Sequence, residues 1–395
     1  MICVMSHESH DFRSTVWTRR EALRLLGMGA AAAALPRFAS AAPTFPKGAI
    51  IRTILKDYAP EELAGGATLF HEHMSFADDF MTRWTGYAAD SRRENALPGA
   101  QAPGAGQAGG RGGGAVAPPA PPSTPSGKFF MRDLDYMVEE MKIAKGDGIA
   151  CIVDGGHADM GRDIAFLRQL SQQSGLPIVA GGGFYTQPFY PREISTMSED
   201  QIYQALLKQV DTEPIGAFGE IGSWDYITKD ERKVFRAVGR ASVATNVPIF
   251  THTGIPGKSA LEQIDLFEDV GLDPKKVVIG HLGNLTDPNV EVHRAICRRG
   301  AFIGFDRQGG AGDAQQVPLA MKLIEAGYAD NLMFASDLSG IQQTKQGGGP
   351  GYARTLTVFV PKLKAAGASD EVLRQIMNDN PRRFLAFVPK KPRKI

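Results

Sequence analysis

The stretch Ala67-Thr68-Leu69-Phe70-His71-Glu72-His73 is an apolar run that ends in two histidines separated by one residue. Residues two apart on a β-strand point to the same side of the sheet. The imidazoles of His71 and His73 can therefore converge on one metal ion while Glu72 points away. An HxH pattern alone is a modest indication of a metal site, but further apolar runs in this chain also end in residues that bind metals.

Eight short apolar runs alternate with segments of helical pattern along the chain. Their continuous Val, Ile and Phe character is typical of strands covered on both faces of a parallel sheet. Eight strands alternating with helices predict an α/β fold, a (β/α)8 TIM barrel. A doubly wound open sheet is the alternative, which the lack of a GxGxxG or P-loop motif after an early strand disfavours. The runs are residues 67–71, 150–154, 177–181, 215–220, 247–252, 276–281, 301–306 and 331–337.

The helical segments between the runs carry their own signals. Thr228-Lys229-Asp230-Glu231 has the form of a capping box and predicts a helix start. Residues 131–145 supply the helix between the first two strands. Similar apolar periodicity predicts helices over residues 259–270, 289–298 and 317–326.

Residues 1–41 have the pattern of a signal peptide. Arg19 and Arg20 precede an apolar stretch at residues 23–35 and a small-x-small site at residues 39–41. The paired arginines indicate the twin-arginine type, and hence an exported, periplasmic protein. The predicted mature barrel spans residues 48–390 and has no membrane anchor, because no later segment is long and apolar enough.

A low-complexity segment rich in Pro, Gly and Ala interrupts the barrel sequence at residues 97–127. Such a composition buries too little apolar surface to offset its ordering entropy, so we expect a disordered surface loop inserted in the barrel.

The composition argues against some functions. The chain has 44 Lys and Arg against 43 Asp and Glu, with no basic stripe, so nucleic acid is not an expected partner. Three cysteines are too few for a disulfide framework. Cys3 would leave with the signal peptide, and we expect Cys151 and Cys297 to be free buried thiols.

Functional residues of a (β/α)8 barrel lie at the C-terminal ends of its strands. Four of the eight histidines fall at such ends, together with two carboxylates, and chance placement explains this poorly. Four imidazoles and two carboxylates suit two divalent ions, zinc first, with Mn, Fe or Co also compatible. The predicted ligands are His71, His73, Glu220, His252, His281 and Asp337.

In this combination the motifs resemble the phosphotriesterase family of the amidohydrolase superfamily. The resemblance extends over residues 50–387, and its matching segments are residues 69–73, 219–222, 251–253, 279–283 and 336–337. It implies one buried ion on the first two histidines and Asp337, and a more exposed ion on His252 and His281. It also implies a bridging hydroxide that attacks an ester-type centre, with Asp337 as the catalytic proton acceptor.

Glu220 is a departure from the commoner family pattern, in which a carboxylated lysine bridges the ions. A glutamate supplies the same two-oxygen bridge without modification, as in a subset of the family. We therefore expect that metal reconstitution does not require bicarbonate.

Tyr185 and Arg307 resemble site residues of the lactonase-like branch. Tyr185 could hydrogen-bond the attacked carbonyl or the nucleophile, and Arg307 could orient substrate oxygens. The alternatives are a packed loop aromatic for Tyr185 and a structural ion pair, with Asp306 or another acid, for Arg307. The glycine-rich loops at residues 308–312 and 346–351 could cradle phosphate or form flexible walls of the pocket.

These observations predict a binuclear metal-dependent hydrolase of lactones or other carboxyl esters, with phosphotriesterase activity as a further expectation. The alternatives are an amide hydrolase or another amidohydrolase-type reaction, and a non-catalytic metal-binding periplasmic protein. The expected partner is a small ester or lactone, and the resemblance implies a homodimer. Outside the ligand set, His157 is expected on a loop and His293 on a solvent-facing helix surface.

Overall fold

The computed structural model describes residues 42–95, 123–254, 257–285 and 287–390, with backbone alone for residues 89–95. The predicted signal peptide and residues 97–122 of the low-complexity loop lie outside the described residues and stay predictions. Within the described ranges, every helix is too short or too polar to cross a bilayer.

Eight parallel strands form a nearly closed barrel in chain order, which confirms the predicted fold. Every strand residue but one is buried, as the continuous apolar runs require. The strands are β1 (Ala67–Glu72), β2 (Ile149–Asp154), β3 (Ile178–Gly182), β4 (Ile215–Ser223), β5 (Ile249–Thr253), β6 (Val277–Ile279), β7 (Phe302–Phe305) and β8 (Leu332–Phe334).

Helices cover the outside of the barrel. Thr228 caps its helix as predicted: its side chain accepts a hydrogen bond from Glu231 N, and the Glu231 carboxylate accepts from Thr228 N. The helices are α1 (Phe80–Asn95), α2 (Leu134–Gly146), α3 (Ile164–Ser174), α4 (Glu199–Thr212), α5 (Lys229–Thr245), α6 (Ala260–Asp269), α7 (Glu291–Arg298), α8 (Asp313–Glu325), α9 (Val360–Ala365), α10 (Asp370–Arg374) and α11 (Asn380–Leu385). Single π-helical turns precede α9 and α11, at Thr355–Phe359 and Gln375–Asp379.

The hydrophobic core has two parts. A larger part lies between the sheet and the helices. A smaller one includes Phe70, Val153 and Phe250 from three barrel strands, and an N-terminal hairpin, Ile51–Arg52 with Asp57–Tyr58, packs on it through Ile51. Cys151 and Cys297 are free and buried, as predicted.

Two barrel strands are irregular where they carry predicted metal ligands. Between paired residues β1 advances from Leu69 to Glu72 while β2 advances only from Ile152 to Asp154, so β1 holds an extra residue. As a result the adjacent side chains of Phe70 and His71 both contact Phe250. A strictly alternating strand would separate them onto opposite faces.

The same irregularity occurs in β4. Phe218 pairs with Ile249, and the next pair is Ile221 with Thr251, so the extra residue of β4 lies at Gly219 or Glu220. Bulges re-aim side chains, and this one positions Glu220 among the histidines of the neighbouring strands.

The end of the low-complexity segment is ordered. Thr124 Oγ1 and Ser126 Oγ donate hydrogen bonds of 2.7 and 2.6 Å to Asp133 Oδ2, and Thr124 is buried. The same aspartate caps α2 through Tyr136 N. The expected disorder therefore does not extend to residues 123–127, because their hydroxyls satisfy a helix-capping carboxylate.

Candidate metal centre

All six predicted ligands converge at the C-terminal end of the barrel. The four histidines and Glu220 are buried to at least 98%, while the Asp337 side chain retains 15% exposure. They come from β1 (His71) and the residue after it (His73), from β4 (Glu220) and β5 (His252), and from the segments that follow β6 (His281) and β8 (Asp337). The structure thus brings the predicted ligand set together, and the metal-binding role of each residue stays a prediction.

Glu220 lies between two pairs of histidines. Its Oε2 atom is 3.3 Å from His71 Nε2 and 3.5 Å from His73 Nε2. Its Oε1 atom is 2.6 Å from His252 Nδ1 and 2.9 Å from His281 Nε2. One carboxylate oxygen therefore faces each pair, which is the arrangement that a bridging ligand requires.

Asp337 completes the cluster from the other side. Its Oδ1 atom is 3.1 Å from His73 Nε2 and 3.9 Å from His71 Nε2, and its Oδ2 atom is 4.0 Å from His281 Nε2. Ligand atoms of His71, His73 and Asp337 all lie within 4.8 Å of one another, as do those of His71, Glu220 and His281. Two overlapping groups of side chains could therefore hold metal ions.

The backbone at two of these residues is strained. Asp337 has φ 49° and His281 has φ 62°, values in the left-handed region that residues with a Cβ rarely adopt. Strained backbone outside glycine concentrates at functional sites, where the surrounding structure enforces it. At Asp337 the enforcing residue is Glu72, whose carboxylate accepts hydrogen bonds from Ser336 N, Ser336 Oγ and Leu338 N.

Glu72 thus points away from the predicted ligand cluster, as expected, and toward the seam between β1 and β8. Asp337 N also donates to His71 O across that seam, at 3.2 Å. The buried Glu72 carboxylate holds the residues on both sides of Asp337, Ser336 and Leu338. Burial raises the pKa of Glu72 to about 7. We conclude that the middle residue of the HxH motif positions Asp337.

Asp306 was not predicted as part of the centre, and the structure places it directly behind two ligands. Its Oδ2 atom is 2.9 Å from His71 Nδ1, and its Oδ1 atom is 2.8 Å from His281 Nδ1. Metal-bound histidines usually donate their second ring N–H to a carboxylate in this way. The position of Asp306 directly after β7, at the functional end of the barrel, could have predicted this role. The sequence analysis considered Asp306 only as an ion-pair partner for Arg307.

Asp306 also decides which ring nitrogens carry protons. Burial alone would raise its pKa, but the charges and hydrogen bonds of His281 and His71 lower it to about 2. As an ionised acceptor it requires both Nδ1 atoms to donate, so a metal ion at His71 or His281 would bind at Nε2, on the side of each ring that faces Glu220. His71 Nε2 is buried with no hydrogen-bond partner in the described part of the chain, and the donor set fits divalent metal ions.

Asp306→Asn should weaken metal binding about 10- to 100-fold. A neutral amide accepts hydrogen bonds from the Nδ1 atoms of His71 and His281 less strongly than a carboxylate, so it orients the two rings less well. The measurement is a competition titration with a zinc-chelating dye. Asp211→Asn, on the exposed surface of α4, is the control for loss of one carboxylate. Equal zinc affinity of Asp306→Asn and the parent protein would contradict this role.

Metal binding should also release protons. Burial lowers the pKa of His73, but hydrogen bonds and charges of Asp337 and Glu220 outweigh this and raise it to about 9. At pH 7 the metal-free ring therefore holds a proton that a metal ion must displace. We expect zinc affinity to rise with pH up to about 9 and then level off. Calorimetric titrations in buffers of different ionisation enthalpy measure the released protons, and a pH-independent affinity would contradict this account.

Tyr185 and Arg307 both lie at the centre. Tyr185 Oη is 3.1 Å from His252 Nδ1 and accepts a hydrogen bond of 2.9 Å from Trp84 Nε1. Arg307 Nε donates to Asp337 Oδ2 at 3.2 Å. The expected alternative for Arg307 was an ion pair with Asp306 or another acid, and the structure has that pair with Asp337, while Asp306 is hydrogen-bonded to two histidines. Trp84 is a further site residue that the sequence reasoning missed.

Two other histidines lie outside the ligand set. His293 was expected to face solvent, but it is fully buried and its Nε2 atom donates to Leu282 O at 2.8 Å. The expectation was wrong because it rested on the charged neighbours of His293 in sequence, whereas His293 lies on the buried side of α7 with Ile296 and Cys297. His157 lies on the β2 loop as expected, buried beside Asp159 at 3.4 Å.

A cavity of about 400 Å³ opens over the centre. One wall is apolar, formed by Phe76, Phe80, Met81, Trp84 and Met160. Another is formed by the glycine-rich loop after β7, at residues 310–312, together with Arg354 and Gln343. The size suits a small molecule, and the reactive side chains lie at its base.

Residues 59–385 match the model of the phosphotriesterase family. The chain belongs to this family of hydrolases. The match covers the whole barrel from the first buried strand to the last helix, and it agrees with the resemblance that the strand-end motifs indicated.

Curated relatives of this phosphotriesterase-family chain have two different activities in their names. An aryldialkylphosphatase of Saccharolobus solfataricus is 32% identical over 268 residues, which are 63% of this chain and 84% of the relative. The N-acetyltaurine hydrolase of Homo sapiens is 27% identical over 276 residues, 65% of this chain and 78% of the relative. Family membership therefore establishes a hydrolase and leaves ester, phosphoester and amide bonds to be distinguished.

Solved structures agree on the architecture. A resiniferatoxin-binding protein from Rhodobacter sphaeroides superposes with a TM-score of 0.68 at 26% identity, covering 87% of this chain and 97% of its own. The phosphotriesterase homology protein from Escherichia coli, with phosphate in its active site, has a TM-score of 0.66 at 24% identity, covering 83% and 100%. The second similarity concerns the fold alone.

Proposed function

We propose that the protein is a metal-dependent hydrolase of lactones or other carboxyl esters, with phosphotriester hydrolysis as a side activity. The observation that carries this proposal is the position of Glu220, with one oxygen toward each histidine pair and Asp337 opposite. Such a site is built to hold two divalent ions, for which we propose zinc because imidazoles dominate the donor set.

Bound there, the ions would lower the pKa of water and polarise the attacked group. Asp337 is the group that accepts a proton from the attacking water, since its carboxylate lines the cavity between His73 and Arg307. Burial alone would raise the pKa of Asp337, but a hydrogen bond from His73 and the charges of His71 and His281 hold it well below its usual range. The carboxylate is therefore ionised and ready to accept at neutral pH.

Two further side chains shape the reaction. Tyr185 is buried and its pKa is raised by that burial and by the charge of Glu220, so its hydroxyl stays protonated and can donate. Arg307 contacts Asp337 and also lines the cavity, where its guanidinium can stabilise negative charge that develops on substrate oxygens. A planar carbonyl and a tetrahedral phosphorus both gain negative charge when attacked, so this arrangement supports either ester.

The apolar wall favours substrates with a hydrocarbon portion. Phe76, Phe80 and Trp84 line the cavity with apolar aromatic surface, which suits the alkyl chain or ring of a lactone or an aryl leaving group. The 32% identical relative is an aryldialkylphosphatase, which supports the phosphotriester part of the proposal.

Amide hydrolysis is the second candidate. Several relatives at 25–27% identity are N-acetyltaurine hydrolases, whose bond is an amide. The same site chemistry applies, since attack on an amide carbonyl also develops an oxyanion. The two candidates differ in the leaving group, which must be protonated more fully for an amine than for an alcohol.

The test is hydrolysis by purified protein loaded with zinc, with metal content measured on the same sample. The substrates are γ- and δ-lactones of increasing chain length, 4-nitrophenyl esters, diethyl 4-nitrophenyl phosphate and N-acetyl amides. We expect turnover of lactones or esters and incorporation of ¹⁸O from labelled water. Two bound metals without hydrolysis of any ester or lactone would refute the proposal, and turnover of amides alone would establish the second candidate.

We propose further that the enzyme acts in the periplasm, on the pattern of residues 1–41. Fractionation of cells that express the full chain, with and without the Arg19-Arg20 pair replaced by lysines, tests this separately from the activity.

A further inference from the structure

Arg354 is a buried cation that lines the cavity. It is only 7% exposed, yet none of its side-chain nitrogens has a hydrogen-bond acceptor among the described residues, and its Nε atom is fully shielded. Burial lowers the pKa of its guanidinium, although arginine remains charged in proteins. A buried charge without a partner is costly, and an anion bound in the cavity would remove that cost.

The carboxylates whose charges act on Arg354 are all committed elsewhere. Glu72 accepts from Ser336 and Leu338, as described above. Asp313 pairs with Lys362 Nζ at 2.6 Å, and Asp337 faces His73 and Arg307. Each of these acids raises the pKa of Arg354 through charge alone, and in the described residues none accepts a hydrogen bond from it.

The glycine-rich loop after β7 is shaped around this side chain. A Cβ atom at Gly309 would lie 2.6 Å from Arg354 Nε, and one at Gly310 would lie 3.3 Å from Arg354 Nη2. Gly309 also has φ +80°, which favours glycine. The loop therefore leaves room for the guanidinium of Arg354 to reach the cavity wall beside Gly310.

Arg307, the other arginine of the cavity, is already paired with Asp337. From these positions we infer that Arg354 binds an oxyanion on the substrate, a carboxylate or a sulfonate, at the cavity wall away from the bond that is broken. This inference rests on the proposed hydrolase function and narrows its substrates to acidic esters, lactones or amides. The guanidinium fork can donate two parallel hydrogen bonds to either oxyanion.

The first test compares two esters that differ at a remote carboxyl group, which is ionised in mono-4-nitrophenyl glutarate and methylated in methyl 4-nitrophenyl glutarate. We expect the zinc-loaded parent enzyme to favour the acidic ester about 10- to 100-fold in kcat/KM, the range of a charge-assisted hydrogen bond. Arg354→Gln should reduce this ratio to near unity, and Arg354→Lys should retain part of it. Equal use of both esters by the parent enzyme, or an unchanged ratio in Arg354→Gln, would overturn the inference.

Arg240→Gln is the matched control. Arg240 lies on α5 in ion pairs with Glu199 and Asp200, so its loss removes one positive charge without touching the cavity, and the ratio should not change. Circular dichroism spectra and thermal unfolding of all variants establish that each one folds.

A binding measurement separates this inference from the proposed function. 1-Propanesulfonate is a weak metal ligand that carries the proposed oxyanion and no bond to hydrolyse. We expect it to bind the parent protein and to bind Arg354→Gln at least tenfold more weakly, as measured by chemical-shift or calorimetric titration. Sulfonate binding that depends on Arg354 supports the subsite even if every ester fails, whereas binding that ignores Arg354 refutes it even if esters are hydrolysed.

Discussion

Asp337→Asn should lower kcat about 100- to 10,000-fold with the fold intact, the range for removal of a general base. The amide is nearly isosteric, so it keeps the hydrogen bond of Asp337 N to His71 O and the neighbouring contacts of Glu72. It cannot accept the proton that the ionised carboxylate accepts, and it places no negative charge against Arg307 and His73. Steady-state kinetics on the best ester, together with zinc content, measure the effect.

The control for Asp337→Asn is again Asp211→Asn, which removes an exposed carboxylate of α4. A second variant, Asp337→Ala, distinguishes loss of the base from loss of a ligand, since it should also reduce the zinc content. If Asp337→Asn keeps more than a tenth of the parent kcat with both ions bound, the proton acceptor must be another group.

Glu220→Gln should reduce bound zinc from two ions to one or none and lower kcat more than about 1000-fold. Its carboxylate is held ionised: burial would raise the pKa, but the charges of His71 and His252 and hydrogen bonds from His252 and His281 bring it well below its usual value. Glutamine replaces one carboxylate oxygen with an amide NH2 group, which donates hydrogen bonds and cannot bind a cation. One pair of histidines would therefore lose the bridging ligand for its metal ion. Elemental analysis and kinetics after zinc reconstitution provide the measurement.

Reconstitution with and without bicarbonate is the companion experiment to Glu220→Gln. The parent enzyme should reach full activity in bicarbonate-free buffer, because the bridge is a glutamate and not a carboxylated lysine. Full zinc occupancy in Glu220→Gln would show that the ions do not depend on this residue. A bicarbonate requirement in the parent enzyme would show that some lysine takes part in the bridge.

Much of the barrel could be read from the sequence because its strands are buried on both faces. Burial makes each strand a continuous apolar run, and all eight observed strands overlap the predicted runs. A parallel barrel then directs the C-terminal ends of its strands to one face, which is why six residues far apart in sequence could be predicted to meet. The start of α5 was predictable for a local reason, because the capping box of Thr228 and Glu231 depends on two residues only three apart in sequence.

The site residues that the sequence reasoning missed act across distances that no local pattern encodes. Asp306 stands 235 residues from His71, and Tyr185 stands 101 residues from Trp84, so only folding makes them partners. His293 was misjudged for a related reason: whether a helical face is buried depends on the loop that packs against it, here through Leu282 O.

The HxH motif itself shows where the division lies. The sequence by itself predicted that His71 and His73 lie at the end of the first strand on a common side, because residues two apart in a regular strand share a face. Only the tertiary structure decided that the extra residues in β1 and β4 aim His71 and Glu220 into one cluster, and that Glu72 fixes Asp337 across the seam. It likewise decided that Arg354 lines the cavity without a hydrogen-bond acceptor among the residues that the structure describes. Register shifts and the surroundings of a buried charge depend on packing between segments that are distant in sequence. No single stretch of the chain therefore contains the interactions that decide them.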